Sequence, residues 1–212
     1  MPRSALHRTH AWKDGFLFVG NHLTLDFLNT RPIQDGEPQE LLPDFETLLR
    51  WFRAAGLVDD HGFTALHRQW EGSARARKLL ETVRRLREEL RQEVLSWEAG
   101  GNVQRGTIEK LNHLLADHPM HTKLVETDGA LRVTSSFEPR QPEDLLSPLA
   151  HSAAGLFTEV ERIRVRKCGQ CVLHFLDTSK KGTRRWCSMQ LCGNRLKVAA
   201  YARKKRIAQP SD

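Results

Sequence analysis

The chain has four cysteines, Cys168, Cys171, Cys187 and Cys192, spaced CxxC, then fifteen residues, then CxxxxC. A two-residue gap lets one tight turn present both sulfurs to a metal, and four thiolates complete the tetrahedral shell of zinc at about 2.3 Å. A shell closed by protein ligands leaves no position for water or substrate. One structural Zn2+ is therefore expected, not a catalytic one. Two disulfides are the other use of four cysteines, but tight clustering at metal spacing fits zinc in a reducing compartment. His174 lies between the pairs, and four thiolates leave it no ligand position.

The residues around these cysteines are strongly basic. Arg162 to Asp212 hold fourteen Lys and Arg against Asp177 and Asp212, net +12. Residues 1–161 hold nineteen basic and twenty-four acidic residues, net −5, and the two parts give the formal +7 of the whole. Such asymmetry points to a polyanionic partner, with nucleic acid foremost, although a solvated basic tail has the same composition. No stretch approaches the roughly 18 apolar residues of a membrane span. The opening MPRSALHRTHAW lacks the apolar segment of a secretory signal. The expectation is a cytoplasmic protein with no membrane partner.

Several elements must position this site. Phe16 to Gly20 reads as a short buried strand, and Asn21 to Thr30 fits neither period cleanly and leans to helix. Asp44 can cap a helix carrying Phe45, Leu48, Leu49 and Phe52, which stops at Gly56. The longest helix is expected from Ser73 to Trp97, with Leu79, Leu80, Val83, Leu86, Leu90, Val94 and Trp97 inward and Arg84, Glu88, Arg87 and Arg91 as solvated surface charge. Thr107 to Ala116 should be helical with Ile108, Leu111, Leu114 and Leu115 on its inner face. Residues 121–137 alternate around Asp128-Gly129, the signature of a hairpin. A helix after Pro142 should turn Leu145, Leu146, Leu149, Ala153, Leu156 and Phe157 inward. Arg162 to Arg166 alternates basic and apolar residues, as an edge strand coupling two parts would. The class expected is α+β. A mostly helical domain over 1–160 carries a small antiparallel sheet, and 161–212 form a basic zinc finger.

Within the finger, 173–177 and 183–186 read as two strands around the basic turn 178–182, and Ser188 is placed to cap a helix presenting Cys192. Knuckle, hairpin and helix together make a treble clef. At 100° per residue, Cys192, Arg195, Val198, Ala199 and Ala202 share the metal face, whereas Asn194, Lys197, Tyr201 and Lys204 form a second stripe. That stripe suits a DNA groove: Asn bonds adenine, Lys reaches guanine or phosphate, and Tyr bonds phosphate. A solvated helix face has the same pattern. Lys205 and Arg206 extend the positive end. Arg195 either touches DNA or bonds Asp177 or a hairpin carbonyl. Lys180, Lys181, Arg184 and Arg185 are candidate phosphate clamps.

The run Trp186 to Arg195, containing Cys192-Gly193-Asn194-Arg195, resembles the CGNR zinc finger, over about Val165 to Arg206. Phe18 to Thr30 resembles the opening of the ABATE domain, which commonly has a second glycine where this chain has Asn21. The resemblance implies a two-module bacterial stress-induced transcriptional regulator. In it an α+β domain binds an unidentified small ligand and a treble-clef finger binds DNA.

Three function classes follow. The first is a DNA-binding regulator whose N-terminal domain senses a small molecule or forms a homodimer. The second is an RNA-binding or ribosome-associated module in which Trp186 and Tyr201 stack on bases. The third is an enzyme, supported only by His22, Asp26, Asn29 and Arg31. These could line a ligand pocket or simply cap and solvate, and no nucleophile motif, phosphate loop or HExxH accompanies them. The expectation is a non-enzyme.

Overall fold

The computed structural model describes residues 11–34, 36–118, 120–171 and 173–194. It is α+β, about half helical, with short two-stranded antiparallel ribbons in place of one small sheet. β1 (Trp12–Lys13) and β2 (Phe16–Leu17) turn through Asp14 and Gly15, both at positive φ. α1 (Leu23–Leu28) follows, realising the helical reading of that ambiguous stretch. β3 (Ile33–Gln34) pairs with β4 (Glu37–Pro38).

α2 (Phe45–Ala54) starts where Asp44 accepts the Thr47 N–H at 2.8 Å and ends at Gly56, φ 75°. α3 (Asp60–Trp70), capped by Asp59, has no counterpart in the sequence reading. Its apolar stripe is thin, and only Leu66 and Trp70 become buried. α4 (Ala74–Glu98), capped by Ser73, and α5 (Arg105–Asp117) follow. β5 (His121–Thr127) and β6 (Ala130–Ser136) then make the expected hairpin, with Asp128 and Gly129 at φ 54° and 74°. A 3-10 turn, Pro142–Leu145, leads into α6 (Leu146–Glu159). β7 (Val165–Lys167) and β8 (His174–Leu176) complete the regular elements before a wide helical turn, Met189–Gly193. Among the described residues no helix is long and apolar enough to cross a membrane.

The core forms around α1, whose Leu25, Phe27 and Leu28 are fully buried and which packs between α4 and α6. From α4 it receives Leu79, Val83, Leu86, Leu90 and Val94, each burial stabilising by roughly 1.5–3 kcal/mol. Arg87 interrupts that stripe and corrects the surface-charge expectation. It is 1% exposed, donating to Thr30 Oγ1 (2.9 Å), Glu40 Oε1 (2.9 Å) and Glu40 Oε2 (2.5 Å). Position 87 is four residues after Val83 and three before Leu90, so helical geometry places it on the buried face. Arg84 bonds the Leu42 carbonyl and Arg91 the carbonyl of Leu28 at the end of α1, so both are partly withdrawn from solvent and tie neighbouring segments to α4. Ile108 is a second correction, 47% exposed. The first turn of α5 is held to α4 by polar contacts, Glu93 accepting from the Gln104 N–H and the Thr107 hydroxyl, and the apolar contact begins only at Leu111.

Gly20 has no room for a side chain. A β-carbon there would lie 2.7 Å from the Asp26 nitrogen and 2.9 Å from Leu25 Cβ. Asn21 sits at φ 54°, the left-handed region that glycine favours and asparagine tolerates best among other residues. The Asn21 departure from the resembled pattern is thus conformationally conservative.

Candidate metal centre and basic surface

The chain reverses at Cys168 and Cys171 between β7 and β8, where the Cys168 N–H donates to the Leu173 carbonyl at 2.8 Å. The second pair is set by Ser188. Its carbonyl accepts from Cys192 N–H at 3.0 Å and its hydroxyl from Leu191 N–H at 3.4 Å. The four sulfurs converge within 4.8 Å of one another, with Cys171–Cys187 at 3.4 Å and Cys187–Cys192 at 3.7 Å. A tetrahedron with 2.3 Å bonds has edges of about 3.8 Å, whereas a disulfide requires about 2.05 Å. The donor set fits one closed, structural zinc, and none of the cysteines is in a disulfide.

Crowding explains the electrostatics of the thiols. Hydrogen bonding from Cys171, then Cys187 and Cys192, lowers the pKa of Cys168, while contact with Cys168 foremost raises that of Cys187. A divalent cation lets all four act as thiolates. Val19, Leu173, Phe175 and Leu191 pack around the cysteines, so β2 and its continuation enter the finger's own core.

The strand partner differs from expectation. β8 pairs with β7, Arg166 opposite Phe175, instead of with 183–186. The CxxC knuckle is therefore the hairpin turn, and 177–186 is an irregular loop. Asp177 organises that loop. It is fully buried, accepting from Ser179 N–H at 2.9 Å and Arg184 N–H at 2.7 Å. Burial alone would raise its pKa, but these bonds outweigh it and the carboxyl is held below its usual range. Arg164 donates to the carbonyls of Asp177 and Ser179, and Arg166 to that of Gly182. The alternating basic segment, expected to face solvent or phosphate, thus spends part of its charge stapling the loop.

Lys180, Lys181 and Arg185 are exposed, with Arg185 stacked on Trp186 at 5.4 Å. Arg184 is half-buried, donating to the Cys187 carbonyl and lying over the Phe175 ring at 5.1 Å. Asn194, which ends the Met189–Gly193 turn, is exposed. Arg195, Lys197, Tyr201, Lys204, Lys205 and Arg206 lie outside the described residues.

The other edge of the finger is sealed by the N-terminal part. Asn29 bonds both main-chain groups of His174, Nδ2 to its carbonyl at 2.9 Å and Oδ1 from its N–H at 2.9 Å. The Leu176 N–H donates to the Gly20 carbonyl at 2.8 Å, and Asn21 Nδ2 donates to the Leu176 carbonyl at 3.0 Å. The side-chain amides and one carbonyl stand in for a neighbouring strand, removing an open edge. Buried, with Arg91 and Lys167 nearby, His174 has its pKa pushed down to about 4.

The four candidate ligand residues have separate partners. Asp26 is buried with its Oδ1 on the Gly20 N–H at 2.7 Å, and burial pushes its pKa up to about 6. Asn29 is the clamp just described. His22 precedes α1, half-buried, and burial lowers its pKa while Glu159 opposes. Arg31 pairs with Glu88 at 3.2 Å and lines a cleft of about 150 Å³ beside Arg91 and Leu173. Sequence reasoning grouped these residues by proximity along the chain and missed Asn29 as a coupling residue. A polar side chain one helical turn after Leu25 was the available signal.

Against known families, residues 21–160 match ABATE, described as "Putative stress-induced transcription regulator", and residues 164–205 match the CGNR zinc finger. No curated protein matches the chain.

Proposed function

The chain belongs to the ABATE family, and from that membership we propose that it is a DNA-binding transcription regulator and not an enzyme. In this reading residues 1–160 form a regulatory domain that senses a small ligand, and 161–212 a treble-clef finger. Zinc supplies folding free energy to the finger and takes no part in chemistry. The observation that carries the reading is the division of the finger's surface. One strand edge is consumed by Gly20, Asn21 and Asn29, while Lys180, Lys181, Arg185 and Asn194 stay exposed.

Exposed cations on a loop held by Asp177 keep their side chains available for phosphate without rebuilding the loop on binding. Arg184 supports this loop, its guanidinium already donating to Cys187, and is a weaker phosphate candidate than its neighbours. Asn194, and Lys197, Tyr201 and Lys204 beyond it, supply base and phosphate contacts in a groove. Regulation reaches the finger through α1, because the helix and the segment before it hold β8 directly.

The test is selection of bound duplexes from a random pool by zinc-loaded full-length protein, alongside a Lys180→Ala, Lys181→Ala variant. A defined motif is expected, and each phosphate contact removed should lower the slope of log affinity against log salt by about 0.9. Flat salt dependence, or structured RNA outcompeting duplex at equal salt, overturns it.

A further inference from the structure

The N-terminal domain contains a cavity of about 460 Å³ between the start of α4, the end of α5 and the start of α6, lined by none of His22, Asp26, Asn29 or Arg31. Its polar wall comprises Arg75, His118, His121, Arg140 and Ser147. Two carboxylates, Glu138 and Asp144, also border it, but Asp144 is already spent. Its Oδ2 accepts from the N–H groups of Arg140 (2.8 Å) and Gln141 (3.1 Å), and its Oδ1 contacts Gln141 Nε2 (3.2 Å) and His118 Nδ1 (2.9 Å). The His118 ring is thereby fixed through Nδ1, leaving Nε2 as its second polar atom. Glu138 is neutralised by Lys123 at 2.5 Å. Arg75 is partly engaged, with Gln141 and Glu143.

Ser147 is the anomaly. It is 1% exposed, and its hydroxyl has no hydrogen-bond partner among the described residues. A serine inside a helix ordinarily satisfies itself on the carbonyl one turn back, and a buried hydroxyl left unmatched is destabilising. Here it lines a cavity that also carries Arg75 and Arg140, with both bordering carboxylates already engaged. The hydroxyl lacks a partner, and an anionic acceptor satisfies it together with the arginines on the same wall.

Phe137 and Glu138 form a wall shared with a second cleft of about 550 Å³, whose other side is apolar, with Leu57, Val58, Ala65 and Leu66. Phe137 is held against Phe52 of the core at 6.4 Å. We infer that this double cavity binds a small amphipathic carboxylate, its head between Ser147, His118 and Arg140 and its apolar body passing Phe137 into the second cleft. The inference deepens the sensor half of the reading above.

Hexanoate is the probe, titrated into zinc-loaded full-length protein in the absence of DNA, with acetate, hexanamide and inorganic phosphate beside it. Hexanoate should perturb the imidazole resonances of His118 and His121 and bind at least fivefold tighter than each comparison compound. Arg140→Ala should weaken it about tenfold. Ser147→Ala should weaken it to a similar degree without lowering the melting temperature of the free protein, an outcome that a purely structural serine does not produce. Equal binding of hexanamide, tighter binding of phosphate, or no change at His118 and His121 overturns the assignment. A second arm measures duplex affinity with and without saturating hexanoate. Binding that leaves DNA affinity unchanged keeps the pocket and overturns only its role as the sensor.

Discussion

Two regions of this protein are rich in arginine and lysine, and they use the charge in opposite ways. On α4, Arg84, Arg87 and Arg91 reach inward to the Leu42 carbonyl, Glu40 and the Leu28 carbonyl, so their positive charge is absorbed by the fold. In the finger, Arg164 and Arg166 are likewise absorbed, but Lys180, Lys181 and Arg185 on the loop they support remain exposed. Basic content alone therefore says little about a partner. What matters is which cations the backbone carbonyls and carboxylates have already claimed.

Removing zinc should break the comparison most completely. The finger's own apolar core is small, and metal binding in such modules contributes on the order of 10 kcal/mol to folding. Chelation, or Cys187→Ser, should collapse the amide signals of β7 and β8 while those of α4 persist. It should also expose the α1 amides to faster hydrogen exchange, because Gly20 and Asn29 lose their partners. Unchanged exchange in α1 would show that the clamp is incidental.

Next comes Arg87→Ala, which leaves the Glu40 carboxylate without its principal partner in a partly buried site. A loss of about 3–5 kcal/mol in urea unfolding is expected, against little for Lys181→Ala. Equal effects would erase the distinction between the two basic regions.

The buried Asp26 gives a pH test. Its folded pKa of about 6 lies above the ordinary 3.8, so the group favours the folded state fully below about pH 4 and that contribution is lost as pH rises through 6. Asp26→Asn should therefore match the parent near pH 4 and exceed it by up to about 3 kcal/mol at pH 8. A difference independent of pH would mean that Asp26 is solvated in the folded protein.

The smallest of these stability effects is expected from Asn29→Ala. It unpairs the His174 N–H and carbonyl, destabilising by about 2 kcal/mol and selectively raising hydrogen exchange at His174. Asn29→Asp retains only the acceptor and should lie between the parent and alanine. The exposed pair Lys180 and Lys181, by contrast, should leave stability within about 0.5 kcal/mol when changed to alanine.

Much of this architecture is legible along the chain. The caps Asp44 and Ser188 and the Asp128-Gly129 turn stand where expected, because each is a local bond or a local φ requirement. α3 was not legible, since two buried residues in eleven leave almost no period to read. The pairing of β8 was not legible either. Both 165–167 and 183–186 are basic segments of strand length, and choosing between them depends on where the cysteine knuckle turns the chain.

What the sequence determined by itself is the zinc site, the α+β class, the main helices and the charge division, all of which rest on residue type and short spacing. Only the tertiary structure decided that Arg87 is buried, that Asn29 clamps the finger, and that Ser147 lines a cavity with its hydroxyl unpartnered among the described residues. Each of those depends on a partner dozens of residues away or on the lack of one, and a side chain's chemistry becomes a role only when the fold supplies or withholds that partner.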